Sequence, residues 1–166
     1  MNVIYRPLEP ADKAAIMSFL GRVPEFAPDE IPVAEEVLDA CTGNPLTSGY
    51  YCLIAENDGR VAGYVCYGNT PLTKGNWEIY WIAVDPVSQG LGIGRELMRR
   101  AEAGIRSRGG WQVTLETSST PLYDKTRRFY LKCGYAEITR IPDFYDRGDD
   151  LVMYFKKLDQ ASEDRQ

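Results

Sequence analysis

The chain has 166 residues, 44% hydrophobic and 26% charged, enough for one domain that buries a real core. Its net charge of −5 argues against a general nucleic-acid or anionic-membrane surface, since either would want a basic stripe. Histidine is absent, so acid–base work falls to carboxylates, tyrosine, cysteine or water, and the commonest metal ligand is missing.

In chain order, residues 3–6 read as a first strand, and Pro10 and Asp12 open a helix to about Leu20 with Ala15, Ile16, Phe19 and Leu20 as its apolar side. Pro24, Pro28, Asp29, Glu30 and Pro32 mark a loop before a second helix near residues 33–40. Residues 50–55 and 60–67 are strands joined by Glu56-Asn57-Asp58-Gly59, a strong hairpin signal. A loop at 68–75 precedes a strand at 77–84, and a helix then runs to about Arg108, where Gly109-Gly110 ends it. Residues 111–116 form the next strand, Thr117–Pro121 a polar turn, and 124–133 a helix closed by Gly134 as a C′ glycine. Residues 135–139 return as a strand, 141–150 form a Pro/Gly/Asp loop, and 151–157 make the last strand. We expect a mixed α+β fold: a mostly antiparallel twisted sheet of six to seven strands with one parallel crossover, flanked by about four helices. One domain spans residues 1–159, followed by a polar tail at 160–166.

Two further features bear on location. The N-terminal stretch lacks the apolar centre of a secretory leader, and no run reaches membrane-spanning length, which points to a cytoplasmic protein with no membrane partner. Cys41, Cys52, Cys66 and Cys133 are far apart in the chain and form no C-x-x-C pair. Cys52 and Cys66 lie in strand-like runs. We therefore expect buried thiols in a reducing compartment, with no zinc or other metal.

The chain is organised around the end of the 77–84 strand. Asp85-Pro86 stops it, and Gln89-Gly90-Leu91-Gly92-Ile93-Gly94-Arg95 follows. Apolar residues then recur at Ile93, Leu97, Met98, Ala101 and Ile105, one face of a helix. The first N–H groups of a helix lack intrahelical partners and carry the positive end of its dipole, and glycines let an anion approach them. Gln89 and Arg95 add side-chain donors, so a diphosphate suits the turn. A Walker A loop needs Gly-Lys-Ser/Thr where this chain has Gly94-Arg95-Glu96, and a dinucleotide fingerprint needs G-x-G-x-x-G rather than G-x-G-x-G.

Gln89-x-x-Gly92-x-Gly94, after Ile82-Ala83-Val84-Asp85-Pro86, resembles the Gln/Arg-x-x-Gly-x-Gly/Ala signature of the GCN5-related N-acetyltransferases (GNAT family), and the resemblance covers nearly the whole chain. It implies acetyl-CoA as cosubstrate. The backbone of Ile82, Ala83 and Val84 would pair with pantetheine, and Gln89, Gly90, Leu91, Gly92, Ile93, Gly94 and Arg95 would take the diphosphate. A donor from the strand would also polarise the thioester carbonyl. Tyr130-Leu131-Lys132-Cys133-Gly134-Tyr135 is similar to the family's late helix, where a tyrosine protonates the departing thiolate. Tyr130 is either that acid or an aromatic core residue. The chain departs from the family at Tyr123, where many members have an Asn that contacts the cofactor.

Glu78 lies at the spacing where histone-type members carry a general base. A carboxylate flanked by Trp77 can have its pKa raised toward neutrality; the alternative is a strand-edge charge. The acidic, aromatic stretch from Asp143 to Asp150 either attracts a cationic amine or is a solvated turn, and Thr117-Ser118-Ser119-Thr120 either lines the acceptor entrance or caps a turn. The activity implied is acetyl transfer from acetyl-CoA to a primary amine, on a small molecule or a protein, by direct attack in a ternary complex. The alternatives are a CoA-binding domain without catalysis, which acts as a sensor or interaction module, and a dinucleotide-binding domain. Dimers are common in the family, so a homodimer stays open, and nucleic acid is not an expected partner.

Overall fold

The computed structural model describes residues 2–43 and 45–158; the tail expected at 160–166 lies outside them. Seven strands are hydrogen-bonded in the order β1-β2-β3-β4-β5-β7-β6. They are β1 Val3–Pro7, β2 Tyr50–Asn57, β3 Arg60–Asn69, β4 Asn76–Val84, β5 Gln112–Ser118, β6 Ala136–Asp146 and β7 Asp149–Lys157. The helices among the described residues are α1 Lys13–Leu20, α2 Glu30–Thr42, α3 Pro45–Ser48, α4 Ile93–Ser107 and α5 Asp124–Lys132. This is the expected mixed α+β fold, mostly antiparallel. The described residues divide into two compact units, those of 2–68 with 79–101, and those of 69–78 with 102–158.

In the first unit, β1 and β3 flank β2 in antiparallel ladders. The β2–β3 turn is a two-residue hairpin in which Asp58 and Gly59 both take positive φ, the backbone that Asp-Gly favours. One register shift interrupts the ladder. Ala55 pairs with Gly63 but Glu56 with Val61, so Ala62 is an extra residue on β3. Helices α1 and α2 cover the strands through Ile16, Phe19, Leu20, Ala34 and Leu38, against Ile54, Tyr64 and Ala83. Ala15, expected on the apolar side of α1, is exposed, because the buried face is narrower and is carried by Ile16, Phe19 and Leu20. Helix α2 begins three residues before the expected start; Pro32 falls in its first turn, where a missing N–H costs no helical bond. Asp12 accepts both nitrogens of the Arg6 fork, at 2.7 and 2.8 Å, together with the Glu9 backbone N–H at 2.8 Å. The Arg6 guanidinium holds the Asp12 carboxyl below its usual range.

In the second unit, the first three residues of β4 pair in parallel with β5, Asn76 to Gln112, Trp77 to Val113 and Glu78 to Thr114. Strand β5 pairs antiparallel with β7, and β7 with β6. The loop expected at 141–150 is instead the far half of this β6–β7 hairpin. Every residue of β6 is exposed, so no inside–outside alternation marked its far half as a strand, and the ladder shifts register between Ile141 and Asp146 where Asp143 takes positive φ. Gly134 follows α5 at φ 87°, the left-handed C′ position expected. A buried network joins α4 to β7: Lys156 donates to both Glu102 oxygens at 2.9 and 2.8 Å and to the Cys133 carbonyl at 2.8 Å, while the Tyr135 hydroxyl donates to Glu102 at 3.1 Å.

Candidate functional site

The glycine-rich turn leaves β4 through contacts that fix its path. The Asp85 N–H donates to the Ala62 carbonyl at 2.9 Å, so the bulge in β3 anchors the strand end. The Asp85 carboxylate accepts from the Val87 N–H at 3.2 Å and pairs with Arg22 at 3.0 Å, holding the short 3-10 turn Pro86–Ser88. Gly90 and Gly92 then take φ of 81° and 78°, and a Cβ built on either meets nothing within 4 Å. Both glycines are therefore required by backbone conformation, and their outer side is open. The first helical bond of α4 runs from the Glu96 N–H to the Gly92 carbonyl at 3.1 Å. The N–H groups of Ile93, Gly94 and Arg95 precede it, in the first turn that helix geometry leaves without intrahelical acceptors.

Beneath the turn, Ile93, Leu97, Met98, Ala101 and Ile105 are buried, the helical face expected of α4. Residues 89–92 and Arg95 are exposed. The Gln89 side-chain amide donates to the Val84 carbonyl at 3.4 Å, which braces the turn. An open, dipole-aligned set of amides beside an exposed arginine suits an anion.

Along β4, Glu78, Tyr80, Ile82 and Val84 alternate with the buried Trp77, Ile79 and Ala83, and all four are half-buried, as one face of a strand requires. Burial, and then the Glu116 carboxylate, raise the Glu78 pKa. That is the direction a carboxylate needs to exchange protons nearer neutrality.

Tyr130 of α5 is buried, with ring centroids 5.5, 6.4 and 5.8 Å from those of Phe129, Tyr135 and Tyr154. Burial, with contributions from Cys133, Tyr123 and Tyr154, pushes its phenol up, so it stays protonated and available as a donor. Tyr123 ends the 3-10 turn Pro121–Tyr123 just before α5.

Thr117–Thr120 is a tie. Ser118 Oγ donates to Asp149 at 2.6 Å, the Ser119 N–H donates to the same oxygen at 3.1 Å, and the Asp150 N–H donates to Ser119 Oγ at 2.8 Å. Sequence reasoning missed Arg127, whose guanidinium donates to the Ser118 and Thr120 carbonyls at 2.6 and 2.9 Å and sets α5 against the end of β5. A basic residue one turn before Tyr130 was its only signal. At the β6–β7 hairpin, Phe144 and Tyr145 are exposed with rings edge to face, 5.1 Å apart.

The family described as Acetyltransferase (GNAT) family matches residues 19–135. An uncharacterized N-acetyltransferase of Methanocaldococcus jannaschii is 32% identical over 109 residues, 65% of this chain and 67% of that protein. A mycothiol acetyltransferase of Thermomonospora curvata is 33% identical over 109 residues, 65% of this chain but only 36% of its own length. Among solved structures, a GNAT-family protein from Desulfovibrio desulfuricans superposes with a TM-score of 0.89 at 35% identity, over 94% of this chain and 99% of that one.

Proposed function

Because this chain belongs to the GNAT family of acetyltransferases, we propose that it transfers an acetyl group from acetyl-CoA to a primary amine by direct attack in a ternary complex. The observation that carries the reading is the braced turn with its two left-handed, open glycines at the mouth of α4. In this reading the amides of residues 89–95 and the Arg95 side chain hold the diphosphate, and the Gln89 side chain also keeps the turn in shape. The β4 backbone at Ile82, Ala83 and Val84 pairs with pantetheine and polarises the thioester carbonyl. Glu78, directly or through water, takes a proton from the attacking amine, and Tyr130 donates its phenolic proton to the leaving thiolate. The acceptor is a small-molecule or protein amine, and the acidic hairpin from Asp143 to Asp150 favours a cationic one. A single domain over residues 1–159 and a cytoplasmic location belong to the same reading. The first is supported by the extent of the family match, and the second by the reduced, buried Cys41, Cys52 and Cys66. No described helix is long and apolar enough to cross a membrane.

The test is a thermal shift with saturating acetyl-CoA, with NAD and ATP as controls. Ligand at a hundredfold over its Kd stabilises by about 2.7 kcal/mol, several degrees in Tm. A shift with acetyl-CoA alone is expected; no shift with any acyl-CoA would return the turn to a purely structural role. The enclosure of Tyr130 among three aromatic rings favours a second reading, a CoA-binding module without catalysis. Glu78→Gln and Tyr130→Phe separate the two: an enzyme loses thiol release, by about a hundredfold for either change, while its acetyl-CoA affinity stays.

A further inference from the structure

The sequence spacing of the cysteines argued against a metal, yet the fold sets three of them side by side. Cys41 of α2, Cys52 of β2 and Cys66 of β3 have sulfurs all within 4.8 Å of one another. Cys52 and Cys66 face each other across the β2–β3 ladder, and Cys41 Sγ stands 3.6 Å from Cys66 Sγ. All three are buried in the core of the first unit, with Phe19, Leu38 and Ile54 in the same cluster. The hydroxyl of Tyr64 belongs to that cluster, is completely buried and has no hydrogen-bond partner. A single core cysteine acts as a small hydrophobe. Three converging sulfurs are instead a ready set of soft donors, and the unsatisfied Tyr64 hydroxyl in the same core costs free energy.

We propose that Cys41, Cys52 and Cys66 form a three-thiolate site for one thiophilic d10 cation, Cu(I) or Zn(II). The donor set selects that class. Soft thiolates bind Cu(I) and Zn(II), whereas Mg(II) and Ca(II) want hard oxygen ligands, and the three grouped side chains are all cysteines. Sulfurs about 2.3 Å from a shared ion stand roughly 4 Å from one another, a spacing reached here by small side-chain adjustments. Binding displaces the thiol protons to solvent and ties α2 to the β2–β3 hairpin, so it adds directly to folding stability. The proposal is independent of acetyl transfer.

The experiment uses the full chain, stripped of metal under reductant and without oxygen, then titrated separately with Zn(II) and Cu(I) against a chromophoric chelator for each. The expected result is a thiolate-to-metal charge-transfer band that saturates at a single ion per chain for at least one of the two. The band and affinity are unchanged in Cys133→Ser, whose thiol lies outside the cluster. Cys41→Ser, Cys52→Ser and Cys66→Ser each weaken binding by about tenfold or more, since even an outer partner of a metal ligand is worth that much. If a variant fails to fold, by circular dichroism, the wild-type titrations and the remaining variants decide. Saturation with one ion alone identifies the occupant. Absence of a stoichiometric band with both ions, or affinity that survives all folded cluster variants, would overturn the site.

Discussion

The Asp85 N–H reaches the carbonyl of Ala62, the extra residue of the β3 bulge, at 2.9 Å. An irregularity in one strand thus positions the turn that leaves the next. Gly63, beside the bulge, lets the two strands close: a Cβ there would stand 2.9 Å from the Ala83 carbonyl oxygen and 3.3 Å from Val84 Cα, both backbone. Gly63→Ala is therefore expected to cost about 1–3 kcal/mol, the range for overpacking, and to weaken acetyl-CoA binding by displacing residues 83–84. Urea midpoints at constant m-value report the first and titration calorimetry the second. Gly21→Ala, at ordinary φ with nothing within 4 Å, is the control and should change neither.

Gly92 and Gly59 share nearly the same φ, 78° and 79°, and both have nothing within 4 Å of an added Cβ, but Gly59 belongs to the β2–β3 hairpin turn. An alanine at either position costs about 1–2 kcal/mol for the left-handed conformation. The two variants should melt alike, yet only Gly92→Ala should lose acetyl-CoA affinity. Equal affinity in both would remove Gly92 from the anion cradle.

What could be read from the chain follows from what leaves a local trace. The buried face of α4, the Asp58-Gly59 hairpin and the Gly134 cap each rest on periodicity or on one residue's backbone preference, and each stands where the pattern put it. The far half of strand β6 left no trace because both of its faces meet solvent. The convergence of the cysteines was equally silent. Counting back from the hairpin turn without a bulge pairs Cys52 with Val65, and only the extra residue Ala62 carries Cys66 opposite Cys52. Bulges are set by tertiary contacts, here the Asp85 hydrogen bond, and have no signature of their own in these residues. The glycine turn was legible, since left-handed φ demands glycine. Its bracing by Gln89 was not, because a side chain's reach to a backbone acceptor depends on the three-dimensional path of the turn.

The Glu102 carboxylate, 5% exposed, holds the Lys156 ammonium and the Tyr135 hydroxyl. Removing it alone leaves both donors facing a low-dielectric interior. Lys156 keeps some exposure, so the loss for Glu102→Ala falls below that of a fully buried pair, on the order of 2 kcal/mol. Pairing Glu102→Met with Lys156→Met should recover part of the stability that either single change loses, because the combination buries no orphaned charge. Urea unfolding of the four proteins of this double-mutant cycle measures the coupling, and strictly additive losses would show that the pair contributes nothing.

Glu78 offers a pH test with opposite signs for stability and rate. Burial, then the Glu116 carboxylate, raise its folded pKa, so between the unfolded value of about 4.3 and that raised value the native state binds more protons than the unfolded one. Stability contributed by this group is present below that window and declines as pH rises through it. Glu78→Gln should abolish the decline and leave the protein as stable as wild type, or more so, at neutral pH. Catalysis runs the other way. A general base works as the carboxylate, so kcat/KM should rise with pH through the same pKa and then level off, and Glu78→Gln should lose this limb. Glu116→Gln removes a like charge without touching the reacting groups, so it should move the limb to lower pH while the plateau stays in place. A limb that does not move in Glu116→Gln would assign the titration to another group and reduce Glu78 to a strand charge.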